Sequence, residues 1–308
     1  MLKKKALKKI FISLSCLGVF IIIYLFPTKE EELNSNIISN NESNTIYLKD
    51  SNNYISRVST ILTSKTNKDK IKEMIDILTI NSNKYIRDGF NKVIPKNTKL
   101  LNVSIEDKLV KLNFSKELLN VDKNNEEKMI EAIVYSITSL DNINYVSIYV
   151  EGSILNKLPN SNKKLETILD RTIGINKEFN ITNITDTSKT TIYYISKYND
   201  YYYYVPVTKV MNNDISKIEV IIKELTSSKM LNTNLMSYLN NKTELLSYNE
   251  LDNSLLLNFN DSILTDINTN NILEEVTYSI NLSIKDNYNV KEVFYYVNDK
   301  IIDNFNLN

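Results

Sequence analysis

The sequence predicts an α+β protein with two tandem copies of a small domain, each with helices on one face of a mostly antiparallel sheet, after an N-terminal transmembrane helix. Three observations lead to this prediction. A series of short motifs occurs twice in the same order. Within each copy, apolar residues alternate with polar ones in some segments and recur at helical spacing in others. An uncharged apolar stretch lies close to the N-terminus.

The duplication extends over most of the chain. Corresponding motifs lie about 145 residues apart and keep their order, which chance similarity would not preserve, and this period is too long for the unit of a solenoid. We therefore predict a duplicated domain. The clearest pairs are "LVKLNFSKELL" (109–119) with "SLLLNFNDSIL" (254–264), "KIKEMIDILT" (70–79) with "KIEVIIKELT" (217–226), and "IEAIVYSI" (130–137) with "LEEVTYSI" (273–280).

Each copy is predicted to follow the order β-β-α-β-β-(short α)-α-β. Val110, Leu112 and Phe114 alternate with polar residues, which is typical of a strand with one face on a core. Ser115 comes directly after this strand, and Asn260 holds the same place in the second copy. Both residues are favourable helix N-caps, because their side-chain oxygens can accept a bond from an unpaired backbone N–H. The motif therefore predicts a core strand that leads into a short helical turn.

The repeat also sets the expected boundaries. The first domain is predicted over residues 45–176, a polar linker over 177–190 and the second domain over 191–308. The segment 158–176 has no counterpart after the second copy, so we expect it to dock on the first domain.

The N-terminal stretch predicts a membrane anchor. Five lysines within residues 1–9 precede an uncharged apolar run at residues 10–26, and polar residues fill 27–44. A helix of that length spans about 26 Å, enough for a single crossing of a bilayer. Lysines before the span predict a cytoplasmic basic tail, with the bulk of the protein outside the cell membrane. Residues 27–44 are then a flexible tether.

Two other interpretations of this stretch remain open. Cys16 could be the lipidated residue of a lipoprotein, but Ser13 is a poor match where such signals favour Leu, and the apolar run continues past the cysteine. A cleaved signal peptide needs a site with small residues, and none of that kind follows Phe26. These features favour the uncleaved anchor.

Composition argues against several functional classes. Lys plus Arg and Asp plus Glu each number 37, and this balance does not favour nucleic-acid binding. The chain has no histidine and one cysteine, which excludes His-based triads and the usual zinc sites. No phosphate-binding loop, dinucleotide motif or nucleophile elbow occurs. We therefore predict a non-enzymatic protein with no metal or cofactor.

Two groups of carboxylates at helical spacing could suggest acid–base chemistry. Such groups are usually the solvated face of a helix, and that is the interpretation we adopt. The residues are Asp69, Glu73 and Asp76 in one helix and Glu126, Glu127 and Glu131 in another.

Several motifs of the first copy carry a resemblance to a known family. They are "KLLNVSIEDKLVKLNFSKEL", the helix "EEKMIEAIVYSITSL", the strand "VSIYVEG" and the ending "DRTIGIN". Their order resembles the GerM family of sporulation and spore germination proteins, which are built from GerMN domains. The resemblance covers nearly all of residues 45–302 and is stronger in the first copy. It departs from the family at Cys16, because the prototype is a lipoprotein, and at the turns containing Asp107 and Asp252, where many members have glycine.

The resemblance implies a scaffold and no catalytic residues. The domain core would be similar to the ring-building motifs of secretion and sporulation channels. The protein would lie on the outer face of the mother-cell membrane and help to build the channel complex between mother cell and forespore. Its expected partners are other proteins of that complex, the membrane, and further copies of itself.

A run of tyrosines is the most unusual local feature. Tyr201, Tyr202, Tyr203 and Tyr204 are consecutive, within a segment that predicts a β-hairpin. Because neighbouring residues of a strand point to opposite faces, about two of the four should point away from the core. We name these four as candidate partner-facing residues. They also support an alternative function, a cell-wall glycan-binding module at the membrane surface.

Overall fold

A computed structural model describes residues 43–183, 185–212, 215–227, 234–266 and 270–307. The predicted anchor at 10–26, Cys16 and nearly all of the tether lie outside the described residues. None of the helices within these ranges is long and apolar enough to cross a membrane. The described residues belong to one compact unit.

The first copy begins with a hairpin and ends with another. Its helices are amphipathic, and Thr66 caps the first one by accepting a bond from the backbone N–H of Asp69. The elements are β1 (Ser43–Asp50), β2 (Ile55–Ile61), α1 (Asn67–Leu78), β3 (Phe90–Asn91), β4 (Leu100–Glu106), β5 (Leu109–Phe114), a 3₁₀ turn (Lys116–Asn120), α2 (Glu126–Ile137), β6 (Tyr145–Val150) and β7 (Ser153–Ile154).

The second copy repeats this order with longer hairpins. Ser216 and Glu219 form a capping box at the start of its first helix. After a 3₁₀ turn (Arg171–Ile173), the elements are β8 (Glu178–Asn180), β9 (Ser188–Tyr198), β10 (Tyr201–Met211), α3 (Lys217–Leu225), β11 (Leu245–Leu251), β12 (Ser254–Phe259), a 3₁₀ turn (Asp261–Ile263), β13 (Leu264–Asp266), β14 (Asn271–Ile272), α4 (Glu274–Asn287), β15 (Glu292–Val297) and β16 (Lys300–Asn306). The predicted linker thus contains β8 and the start of β9.

The strands of the first copy lie in two sheets, and those of the second lie in two matching sheets and a small β13–β14 pair, which corrects the prediction of a single sheet per domain. One sheet has the order β4-β5-β6-β7, and its counterpart has the order β11-β12-β15-β16. Within them, β5 pairs in parallel with β6 and β12 with β15, because a helix makes the crossover between the two strands. The remaining strand pairs of these two sheets are antiparallel, and the mostly antiparallel pairing was predicted. A period-two pattern identifies a strand but not its neighbours, and this is why the sequence did not separate the sheets.

A third sheet is shared by the two copies. The β1–β2 hairpin and the β9–β10 hairpin lie side by side in the order β3-β1-β2-β10, with β9 on the far side of β10. Arg57 of β2 pairs with Tyr204 of β10 in antiparallel register. Buried apolar residues of both copies form one continuous cluster. The domains are therefore joined edge to edge by equivalent strands.

The motif that occurs twice is a strand followed by a 3₁₀ turn in both copies. Asn260 caps its turn by accepting a bond from the backbone N–H two residues on, at 3.3 Å. The predicted cap at Ser115 is wrong, because its hydroxyl instead accepts from the backbone N–H of Lys99 at 3.0 Å. Leu118 and Ile263 return to the core as expected.

The turns that lack the family's glycine are formed by aspartates. Asp107 and Asp252 adopt positive φ values of 52° and 53°. Asp tolerates this left-handed conformation better than most side chains, so the missing glycine does not alter the hairpin.

Candidate interaction surface

The tyrosine run lies at the start of β10 and alternates between two environments. Tyr203 is only 2% exposed, and its hydroxyl donates to Asp50 Oδ2 of the first copy at 3.0 Å. Its ring meets Phe90 edge-on, with centroids 4.9 Å apart. Burial raises the pKa of Tyr203 to about 12, so the phenol stays protonated and can donate this bond. Tyr203 therefore helps to hold the two copies together.

Tyr201 and Tyr204 are half-buried. The Tyr201 ring stacks on Tyr203, and the Arg87 guanidinium lies 4.0 Å from the Tyr201 ring centroid. Tyr204 packs against Tyr278 of α4, with centroids 4.9 Å apart. Both rings thus serve mainly as packing within the protein.

Tyr202 is the most exposed of the four, at 49%. It lies beside the exposed Tyr238, and the Lys197 ammonium lies 5.0 Å from its ring centroid. The structure thus confirms the predicted hairpin and the alternation of the tyrosines, but a neighbouring helix covers one of the two outward rings. Tyr202 and Tyr238 form the remaining aromatic surface, which we call the tyrosine pair.

A second exposed surface is strand β11 of the second copy. Tyr248 in β11 and Val103 in β4 hold equivalent positions, because each lies opposite the corresponding leucine of the neighbouring strand. Val103 is 2% exposed and Tyr248 is 42% exposed. Leu246 and Leu251 on the same strand are also exposed. Helix α1 packs against β4, whereas α3 packs against β9, and this difference leaves β11 open.

The joint between the copies is polar as well as apolar. The hydroxyls of Tyr47 and Tyr193, which hold equivalent positions, are 2.9 Å apart. The backbone N–H of Tyr47 donates to Ser136 Oγ, and that of Tyr193 donates to Ser283 Oγ, each at 2.9 Å. The repeat in the sequence instead paired Ser136 with Ser279, which lies one helical turn before Ser283. Such a misalignment arises easily, because a shift of four residues preserves the apolar stripe of a helix. The structure corrects that alignment.

An ion pair between a half-buried arginine and a buried aspartate completes the joint. Arg171 of the segment 158–176 binds Asp286 of α4, and the Tyr193 hydroxyl donates to the other carboxylate oxygen at 2.7 Å. Burial disfavours the charge of Arg171, but Asp286 outweighs this effect, so the pKa of Arg171 is raised well above its usual range. Opposite charges held in a low dielectric make removal of either partner costly. Nothing in the spacing of the sequence had marked this pair.

The segment 158–176 docks on the first domain, as expected. Ser147 donates to the carbonyl of Thr167 at 2.7 Å, and Leu169 pairs with Val146. Tyr135 donates to the carbonyl of Arg171 at 3.0 Å. The segment therefore lies on the first domain and reaches the second through its arginine.

Three of the helix carboxylates are buried, so the predicted solvated face is wrong for them. Glu73 accepts bonds from Thr63 and Ser64 and pairs with Lys84. Burial opposes its ionisation, but these bonds outweigh it and lower the pKa of Glu73 to about 2. The carboxylate of Glu73 is thus bound by neighbouring groups of the protein.

The other two acids fix the segment after β7. Glu126 accepts from the backbone of Asn160 and Ser161, and Glu131 pairs with Lys177. Burial raises the pKa of Glu131, and Lys177 offsets this only in part. Across the described ranges, no group of three or more acidic, histidine or cysteine side chains is arranged to hold a metal ion.

Comparisons with known proteins now identify the fold. Residues 45–156 match the family Germane, described as sporulation and spore germination. The chain is 29% identical over 242 residues to the spore germination protein GerM of Bacillus subtilis strain 168, and this match covers 76% of the chain. It covers 65% of that relative, slightly under two thirds of its length.

A solved structure agrees over both copies. The tandem GerMN domains of the sporulation protein GerM from Bacillus subtilis match with a TM-score of 0.75 at 29% identity, over 84% of this chain and 91% of that one. The chain is thus similar to GerM and shares the fold of its tandem GerMN domains. The resemblance, the tandem arrangement and the mixed α+β fold predicted from the sequence are confirmed. Neither GerM relative is described as an enzyme.

Proposed function

We propose that this GerM-like protein is a non-catalytic scaffold, anchored in the mother-cell membrane, that helps to assemble the channel complex between mother cell and forespore. The observation that carries the proposal is the joint between its GerMN domains. A shared sheet, the ion pair of Arg171 with Asp286 and a pair of tyrosine hydroxyls hold the domains in one orientation. A fixed pair of domains presents two surfaces at a constant distance, which suits a protein that positions others.

The chemistry of the buried groups supports the same role. The buried carboxylates Glu73, Glu126 and Glu131 are occupied by backbone N–H groups, hydroxyls and lysines that hold loops in place. Residues used in this way are not available to a substrate. The open surfaces are instead the apolar strand β11 and the tyrosine pair, and exposed apolar and aromatic groups are typical of interaction sites.

Complementation tests this role. A spore-forming host that lacks its own GerM is given the present chain, and heat-resistant spores are counted. We expect the chain to restore sporulation, and we expect Tyr202→Ser combined with Tyr238→Ser to reduce it without loss of folded protein. Tyr85→Ser is the matched control, because Tyr85 is also exposed but lies elsewhere. Full restoration by the double variant would rule out the tyrosine pair as a partner surface.

Membrane attachment is tested separately at Cys16. If residues 10–26 form an uncleaved anchor, Cys16→Ser leaves the protein in the membrane fraction with its size unchanged. If Cys16 is lipidated, the same substitution blocks processing and the protein runs larger on a gel. External protease should then degrade the domains in cells stripped of their wall, because we place them outside the membrane.

A cell-wall glycan is the second candidate partner, and the tyrosine pair favours it. Exposed aromatic rings stack on sugar faces, and Tyr202 and Tyr238 lie side by side. Purified residues 43–308 are incubated with peptidoglycan and sedimented. Retention that is lost in the Tyr202→Ser, Tyr238→Ser variant and kept in Tyr85→Ser would favour the glycan. No retention would leave the scaffold as the sole proposal.

A further inference from the structure

The chain has no net charge, but its two domains carry net charges of opposite sign. Lys and Arg outnumber Asp and Glu in residues 45–176, and the reverse holds in residues 177–308. Protein surfaces of opposite sign attract each other, whereas surfaces of equal sign repel. A second copy of this chain is therefore a better electrostatic match if its first domain meets the second domain of its neighbour.

Each domain also has an outer strand whose backbone edge is not paired with another strand. Strand β4 is the last strand of its sheet, and its equivalent β11 is the last strand of the other. Within the described ranges, no strand pairs with the outer side of either one. Such an edge carries free N–H and C=O groups that can bind a further strand.

The charges around these two edges are opposite. Lys96, Lys99 and Lys108 are exposed around β4 and outnumber the exposed Asp107, and the acidic Glu106 of that strand is paired with Lys111 at 2.6 Å. Around β11, acidic residues outnumber the single Lys242; they are Glu244, Glu250 and Asp252, all exposed.

We infer that β4 of one molecule pairs with β11 of a second copy, so that molecules join head to tail. The chain already uses this kind of contact internally, because its equivalent strands β2 and β10 pair edge to edge. Like charges disfavour pairing of β4 with β4 or of β11 with β11. Each molecule has one edge of each kind, so the contact repeats and produces open chains or closed rings.

The apolar side chains on the two strands are the second part of the contact. Leu101 on β4 and Leu246 and Tyr248 on β11 are exposed in the single molecule. Pairing of the strands would remove part of this surface from water, which favours association. The pairing describes how a scaffold of this kind would associate with itself. In this respect it rests on the function proposed above.

Sedimentation velocity on purified residues 43–308 tests the pairing, because this fragment contains every described element of the compact unit. We expect the mass to rise with protein concentration beyond that of a dimer, and to rise less at high salt. Two variants each reverse the charge around one edge: Lys96→Glu with Lys99→Glu just before β4, and Glu244→Lys with Glu250→Lys at the two ends of β11. Each variant alone should associate at least about tenfold more weakly, because both of its edges then carry the same sign.

A mixture of the two variants gives the decisive result. One variant has two acidic edges and the other has two basic edges, so the mixture should associate more tightly than either variant does alone. Lys65→Glu with Lys68→Glu is the control, since it makes the same change of charge on exposed residues away from β4. It should associate like the unmodified protein, and circular dichroism should show that all variants are folded.

Three results would overturn the pairing: a monomer at every concentration, a dimer unaffected by either edge variant, or a control that weakens association as much as the β4 variant does. The last of these would indicate attraction between whole domains rather than between edges. None of these results depends on spore formation, so the pairing and the proposed function can fail separately.

Discussion

The outer strand of one sheet is covered by a helix in the first domain, and the equivalent strand of the second domain is not. Val103 on β4 is buried beneath α1, whereas Tyr248 on β11 faces solvent. Helix α1 has 12 residues and α3 has 9, so the shorter helix covers less of its sheet. Two copies with the same core can thus differ in which surface they leave open.

A polar contact contributes to the closed first domain. Glu73 on α1 binds the chain after β2 through Thr63 and Ser64. The equivalent position on α3 is Val220, which is buried and cannot make such bonds. The first domain therefore connects its hairpin to its first helix through Glu73, whereas the described part of the second domain makes this connection through Glu224, which binds Tyr194 and Lys209.

Breaking the joint between the domains should change how their stabilities compare more than any other substitution considered below. Asp286→Ala leaves the half-buried Arg171 without its partner, which costs about 3 kcal/mol of unfolding free energy, the lower end of the cost for a buried pair. We expect urea unfolding to separate into two transitions, with the open second domain unfolding first. Replacing both residues by apolar ones, Arg171→Met with Asp286→Leu, should be milder, because no charge is left unpaired. A single unchanged transition in Asp286→Ala would contradict the importance of the pair.

The matched core phenylalanines should show that the interiors of the domains are alike. Phe114→Ala and Phe259→Ala each empty a fully buried site, and each should cost about 3 to 5 kcal/mol. Urea unfolding monitored by circular dichroism measures both. A large difference between the two would mean that the copies differ in their cores as well as on their surfaces.

Acid should distinguish the domains through Glu73. Its pKa is lowered to about 2 from an ordinary value of 4.5, so its contribution to stability is present above pH 4.5 and is lost as the pH falls toward 2. Glu73→Gln should remove this part of the pH dependence. Unfolding free energies measured from pH 5 to pH 2 provide the check, with Val220→Ala as a variant of the equivalent site that should keep the same slope.

The smallest effects should come from the open strand. Val103→Ser removes a buried apolar side chain and should cost about 1 to 3 kcal/mol. Tyr248→Ser at the equivalent position changes an exposed side chain and should alter stability by less than about 0.5 kcal/mol. Thermal unfolding of the two variants side by side measures the difference. Equal losses would indicate that Tyr248 is covered in solution.

Local structure was largely predictable from the sequence. The alternation of Val110, Leu112 and Phe114 and the helical spacing around residues 70–79 and 125–140 reflect contacts between near neighbours, and these elements form where expected. Which strands would pair across the two copies was not predictable, because pairing over such distances leaves no periodic signal.

The candidate surface was predicted only in part. Alternation along a strand indicated which tyrosines point outward, but not that Tyr278 would cover Tyr204. The buried acids Glu73 and Glu126 have the same spacing in the sequence as solvated ones, so only their partners in space reveal their role. Arg171 and Asp286 were missed for the same reason.

The tyrosine hydroxyl pair has a consequence for how such a joint can arise. Tyr47 and Tyr193 meet as identical residues do on the two-fold axis of a homodimer, where any residue beside the axis must appear twice. Beside this pair, Arg171 contacts the Tyr47 hydroxyl and Asp286 accepts from the Tyr193 hydroxyl. A homodimer would place two arginines or two aspartates there, and the buried charges would repel. Fusion of the two copies into one chain breaks that symmetry and allows a single cation to face a single anion.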